Sequence, residues 1–277
     1  MDKFLYGCIY LSVAIAVSVL LMIICYVTVR GIGSVSLEFL TTVTSARKGT
    51  VGIAGNIVNT LYIIMITLVI ATPIGVGSAI YLNEYAKPGK IVRIIEFTTE
   101  TLSGIPSIIF GLFGSVFFGT TLKLGYSLLT GALTLSLMIL PLITRNTQEA
   151  LRTVPDSYRS GALGMGATKW HMIRTILLPS AMPGIITGVI LAIGRIVGES
   201  AALLFTAGSG YLLPKAGGWL SKILQPGGTL TIQLYLSSSK AEYNVAFGIA
   251  FVLLVIVLCI NFLTKYLAKR FDVTRMK

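Results

Sequence analysis

Charge is the scarcest ingredient of this chain. Only 12% of its 277 residues are Asp, Glu, Lys or Arg, against about 25% in soluble domains. So few charges cannot cover a soluble surface, and 55% of the residues are hydrophobic. A globular cytosolic enzyme, a disordered tail and a secreted disulfide scaffold are all excluded. Acidic residues are fewest, at 10 against 22 Lys and Arg, which leaves a net charge of +12. The basic residues form no domain of their own. They sit in short clusters between apolar runs, as loops at a membrane surface do, and that excludes nucleic acid as a partner.

Chemical groups are scarce too. The one histidine is His171, and Cys8, Cys25 and Cys259 all fall in apolar runs. Their spacing fits neither a metal site nor a disulfide framework, so no metal is expected. No G-x-x-x-x-G-K-[ST] run occurs, so the chain has no P-loop for ATP. The glycine-rich run Gly164–Lys169 follows no strand and has the wrong spacing for a phosphate loop.

What the chain has in abundance is uninterrupted apolar sequence. A membrane-crossing helix needs about 20 such residues. The gaps between charges predict six spans: Phe4–Val29, Ile57–Leu82, Leu102–Thr121, Tyr126–Thr144, Gly184–Ala207 and Val245–Tyr266. The fold class is therefore an all-α integral membrane protein with six transmembrane helices. The first run exceeds a signal-peptide core and lacks a small-residue cleavage site, so it reads as a retained helix. The turn Lys123–Gly125 is short enough to make spans three and four antiparallel neighbours. Six spans put both termini on one side. With the N-terminus inside, the inner segments carry 14 Lys and Arg and the outer segments 7, with Arg195 inside a span completing the 22. The positive-inside rule then places both termini in the cytoplasm.

Three parts follow: an N-terminal helix with its outer segment (1–50), a transmembrane core (51–268) and a cytoplasmic tail (269–277). The inner loop 145–179 is amphipathic and compatible with helix. The outer loop 208–243 is rich in Gly, Ser and Lys, and its run Thr229–Leu236 alternates as a short strand or re-entrant segment might.

Arg195 and Glu199 stand out inside the fifth span. Each intramembrane charge costs roughly 2.5–3.5 kcal/mol on insertion scales, so such residues face a cavity or a partner. They are four apart, which puts them on one helical face. The Arg fork matches the oxygens of a phosphate. Glu199 could orient that fork, accept from a protonated phosphate oxygen, or simply neutralise Arg195 as a structural pair. In the third span Ser103-Gly104-Ile105-Pro106-Ser107 loosens the helix, because Pro106 lacks an N–H. A broken helix can aim amides at an anion, or the kink can serve packing alone. The candidate substrate-pathway residues are Arg195, Glu199, Ser103, Gly104, Pro106 and Ser107. Asn83 and Glu84 end the second span near the inner face, where a boundary role is the default.

The inner loop runs Ser160-Gly161-Ala162, three residues, Gly166, nine residues, then Ile176-Leu177-Leu178-Pro179. It resembles the EAA loop of ABC-importer permeases, E-A-A-x3-G-x9-I-x-L-P, with Ser160 in the place of Glu. Leu102–Gly111 resembles the segment L-[SA]-G-[VI]-P-S-[IV]-[IV]-[FY]-G of phosphate importer permeases. Ile70–Gly75, Ala79–Ala86 and Gly194–Ala207 agree with the same group, and together these runs cover about residues 55–265. The resemblance is to the A-type (PstA-type) permease subunits of phosphate ABC importers.

That resemblance implies a type I ABC-importer permease (MetI-like) fold with a cytoplasmic coupling helix. It implies a short helix, a turn at Gly166 and a second helix leading into the fifth span. Ser160, Gly161, Ala162, Gly166, Ala167 and Pro179 would couple the chain to an ATP-binding subunit. ATP and Mg would sit on that partner dimer (PstB type), with no cofactor in this chain. A homologous permease (PstC type) and an extracytoplasmic phosphate-binding protein (PstS type) would complete the importer in a bacterial or archaeal cytoplasmic membrane. Other readings are a permease for molybdate or sulfate, and a membrane enzyme acting on phosphorylated lipid. The latter lacks a visible nucleophile or metal cluster.

Overall fold

The computed structural model describes residues 2–45, 50–87, 89–213, 218 and 220–271. Five helices are long and apolar enough to cross a membrane, and a bent pair makes a sixth. The chain opens with α1 (Asp2–Gly31), a short α2 (Leu37–Thr41) and a hairpin of β1 (Val43–Ser45) on β2 (Thr50–Ile53). Next comes α3 (Ala54–Ile80), which continues through a wider i→i+5 turn to Tyr85. The helix α6 (Leu128–Arg152) is the most deeply packed, with two thirds of its apolar window buried. Its Leu135, Met138, Ile139 and Ile143 share one core with Ile63, Ile64 and Ala71 of α3.

α1 lies outside that core, with none of its apolar window buried. It touches α12 (Tyr243–Phe271), where Tyr26 meets Phe247 edge to face at 5.6 Å. Gly31 permits this approach, since a Cβ there would lie 2.4 Å from the Phe247 carbonyl. The end of α1 thus sits beside the start of α12, so the two helices run antiparallel. The expected tail over 269–277 lies outside the described residues from 272 onward.

Three expectations need correction. The third span is no single helix. The helix α4 (Lys90–Gly104) begins well before Leu102, and α5 (Ser107–Gly114), extended by an i→i+5 segment to Thr121, leaves it at 101°. Pro106 is the cause: it clashes with a helical Ile105 and supplies no N–H. Both residues are extended, with ψ 132° and 138°.

The fifth span starts earlier and ends earlier than Gly184–Ala207. The helix α8 (Lys169–Met172) passes through an i→i+5 turn (Ile173–Leu177) into α9 (Leu178–Gly198). The wide turn lies directly ahead of Pro179, whose missing N–H leaves a carbonyl free in the preceding turn. The chain breaks at Glu199, and α10 (Ala201–Thr206) follows.

The outer run Thr229–Leu236 is no strand. It forms α11 (Leu230–Ser239), with Thr229 Oγ1 accepting from the Ile232 amide at 3.4 Å. Ten residues make about 15 Å of helix, half of a bilayer core. The loop before it is pinned by α3: Asn56 Nδ2 donates to the Gly228 carbonyl at 2.9 Å, and Asn59 Nδ2 to the Gly210 carbonyl at 3.0 Å.

Candidate functional site

A cavity of about 440 Å³ opens between α4, α6 and α9. Its charged lining comes from Glu96 and Glu100 of α4, Arg145, Glu149 and Arg152 of α6, and Arg195 of α9. The α4 and α6 charges pair across the gap. Arg152 Nη2 lies 3.4 Å from Glu96 Oε1, and Arg145 reaches Glu100 and Glu149 at 3.6 Å each. These side chains are largely exposed, and such pairs contribute about 0–1 kcal/mol each. They set the charge of the wall more than its stability.

Arg195 differs from the other two arginines. It is half-buried and has no hydrogen-bond or ion-pair partner among the described residues. Ser103 lines the same cavity, so the structure brings these two candidates together. Gln148 lines it as well, and its Nε2 is buried without a hydrogen-bond partner. The sequence offered no signal for Gln148, a polar residue in an otherwise ordinary helical stretch.

The expected Arg195–Glu199 pair is not formed, because the helix that should put them on one face stops at Gly198. Glu199 is extended, and its carboxylate accepts from the Ala202 amide at 3.0 Å. A carboxylate there satisfies an orphan N–H and complements the helix dipole. The Glu199 carbonyl also accepts from Thr231 Oγ1 at 2.9 Å, which ties the break to α11. Gly104, Pro106 and Ser107 form the 101° bend and do not line the charged cavity. The bend is held from behind at Gly111, where a Cβ would lie 2.8 Å from the Ala202 Cα.

The inner loop forms a helix, a turn and a second helix, in the arrangement the resemblance implied. The helix α7 (Asp156–Gly164) carries Ser160 and Gly161 on its exposed side and buries Ala162. Ala162 packs with Leu151 in the last turn of α6, with Val154 just after it, and with Met172, Ile173 and Leu177 leading into α9. Gly166 makes the turn at φ +82°, a left-handed conformation that favours glycine. Ala167 is half-buried beside this cluster, and Pro179 sits in the first turn of α9. A residue that sequence reasoning left at the span boundary, Glu84, turns out to hold the loop: Arg159 Nη2 donates to its Oε1 at 3.0 Å.

Residues 71–273 match the family model described as "Binding-protein-dependent transport system inner membrane component". The probable ABC transporter permease protein YqgI of Bacillus subtilis is 41% identical over 207 residues, covering 75% of this chain and 70% of that protein. The phosphate transport system permease protein PstA of Haemophilus influenzae is 32% identical over 267 residues, covering 95% and 92%. Among solved structures, a bacterial alginate ABC transporter shares the fold at TM-score 0.71 and 14% identity, covering 98% of this chain and 96% of that one. The methionine transporter MetNI does so at TM-score 0.60 and 22% identity, covering 79% and 94%. The chain is a multi-pass membrane protein and belongs to the inner-membrane permease family of binding-protein-dependent ABC transporters.

Proposed function

We propose that this chain is the A-type permease subunit of an ATP-driven phosphate importer, and that Arg195 is its anion contact. The observation that carries the site is a cavity holding two unsatisfied donors, the Arg195 guanidinium and the Gln148 amide. The other cations there, Arg145 and Arg152, are already neutralised by Glu100, Glu149 and Glu96. A tetrahedral oxyanion supplies acceptors to such donors, and a guanidinium binds two of its oxygens at once. Ser103 Oγ, which donates to the Glu100 carbonyl at 2.7 Å, keeps lone pairs free for a protonated phosphate oxygen. The anion supported by the printed names of relatives is phosphate, as in the Haemophilus influenzae and Xylella fastidiosa permeases.

In this reading a homologous permease faces the cavity and completes the path. An ATP-binding dimer, holding ATP and Mg, docks on α7, and a phosphate-binding protein loads the outer face. Both termini lie in the cytoplasm. ATP binding and hydrolysis switch the bundle between outward and inward access as rigid units. Glu199 and the Gly104–Ser107 bend shape the ends of the helices around the path.

The test is ATP-driven phosphate uptake into proteoliposomes holding the whole importer, with ATP hydrolysis followed in parallel. Arg195→Ala and Arg195→Lys should assemble and hydrolyse ATP but lose uptake, because an ammonium lacks the planar fork. Uptake that survives in both would remove Arg195 from the path. A wild-type complex that moves molybdate or sulfate but not phosphate would overturn the cargo.

A further inference from the structure

Arg159 is the most heavily bonded side chain of the inner loop. Its guanidinium has five N–H groups, and the structure gives five contacts. Nε and Nη2 donate to Glu84 Oε1 at 3.3 and 3.0 Å. Nη2 also donates to the Leu151 carbonyl and Nη1 to the Val154 carbonyl, both at 2.9 Å. Nη1 completes the set with Asp156 Oδ1 at 3.0 Å. The Arg159 side chain is 19% exposed and that of Glu84 5%, whereas Asp156 is almost wholly in solvent. The Leu151 carbonyl belongs to the last turn of α6, and Val154 follows directly after the helix end. One cation therefore joins α7 to the last turns of both α3 and α6.

A second strap lies across the Gly166 turn. Lys169 Nζ sits 4.9 Å from the centre of the Tyr85 ring, within cation–π range. Both arms of the helix-turn-helix are thus fastened to adjacent residues, Glu84 and Tyr85, in the widened turn that ends α3.

We propose that Arg159 and Glu84 form a rigid strut that carries displacement of α7 into the α3–α6 pair. This rests on the reading of α7 as the segment moved by a partner ATPase. Without the strut, α7 would meet the α3–α6 pair only through the short link 153–155 and the apolar packing around Ala162. With it, the ends of α3 and α6 follow α7 together, and α6 carries Arg145 and Arg152, whose partners on α4, Glu100 and Glu96, close one wall of the cavity. The strut connects the site of ATP-driven force to the ion pairs beside Arg195. Arg159 is a positioning residue in this scheme and touches no substrate.

The experiment uses the complete importer in proteoliposomes and reads anion imported per ATP hydrolysed. Arg159→Gln and Glu84→Gln should assemble and keep hydrolysing ATP while the ratio falls at least about fivefold, the lower end of ordinary coupling between sites. Arg159→Lys should fall between these and wild type, since it keeps the charge but loses the carbonyl bonds. An unchanged ratio in assembled Arg159→Gln overturns the strut. If neither Gln variant assembles, spin labels at Ser157 and Tyr81, in a background with the native cysteines removed, decide it. The strut requires their separation to stay fixed between resting and ATP-trapped complexes, and a change near one helical turn (about 5.4 Å) overturns it. If the wild-type complex imports another oxyanion, the phosphate reading fails, and the ratio taken on that oxyanion still tests the strut.

Discussion

The bend in the third span contains two glycines with opposite demands, and that contrast can be measured. At Gly111 an added Cβ would lie 2.8 Å from the Ala202 Cα and 3.1 Å from its carbonyl oxygen. Ordinary carbon contacts lie at roughly 3.5–4.0 Å, so α5 and α10 would have to part by about 1 Å. At Gly104, the last residue of α4, nothing lies within 4 Å of the added Cβ. Helical preference for Ala over Gly adds at most roughly 0.5–1 kcal/mol at Gly111, and less at Gly104, which ends α4. The difference between these gains is smaller than the clash. What remains is the overpacking at Gly111, which costs ~1–3 kcal/mol. Gly111→Ala should therefore be less stable than Gly104→Ala by that amount.

The assay is unfolding of the detergent-solubilised protein on titration with SDS, with the two variants and wild type side by side. Gly104→Ala should equal or exceed wild type. A Gly111→Ala protein as stable as Gly104→Ala would refute the close approach of α5 to α10. The colliding atoms belong to the Ala202 backbone, so Ala202→Gly should not rescue Gly111→Ala. Rescue would show that a side chain, not the main chain, sets the spacing.

Three further outcomes follow from single side chains. Lys222, in the outer segment, is 1% exposed, and its one acceptor among the described residues is the Pro226 carbonyl at 3.4 Å. Burial lowers its pKa below the usual 10.5. The unfolded chain then binds more protons between that lowered value and 10.5, so stability rises with pH across this window. Lys222→Met should raise the thermal midpoint at pH 7 and flatten that rise, and a lower midpoint at pH 7 would contradict the burial penalty. Gly166→Ala, at φ +82°, should destabilise the protein by about 1–2 kcal/mol without any clash, as a shift in the thermal midpoint would show. Glu199→Ala removes the carboxylate at the start of α10 and should cost ~1 kcal/mol, read by the same melt.

The apolar architecture was legible because each span is bounded by charges that cannot enter a bilayer. The bend at Ile105–Pro106 was legible for a similar local reason, since proline announces its own missing N–H. The end of α9 was not. Gly198-Glu199-Ser200 contains no proline, and the helix stops there because Glu199 bonds forward to Ala202 and Thr231. The alternation of Thr229–Leu236 misled because β-branched residues suit a strand equally well. A lone strand there would have left its backbone groups unpaired, whereas a helix capped by Thr229 satisfies them internally.

The deepest gap concerns polar groups joined across long stretches of chain. Asp156 and Arg159 are visibly three apart, yet the decisive partner of Arg159 is 75 residues away, and that of Asn56 is 172 away. Hydrophobic periodicity reports which face of a helix is buried, but not which buried acceptor meets which donor. That choice is made only when packing brings the end of α3 against the end of α6. The loop motif could therefore be read from its spacing, while the side chain that fastens it could not. The same logic applies to Arg195. The sequence placed it in the membrane and offered Glu199 as its partner at helical spacing. The structure ends the helix between them, uses Glu199 to cap α10, and leaves the guanidinium unpaired in a cavity whose other arginines are already matched. Among the described residues nothing pairs with Arg195, which is what the proposed anion contact requires.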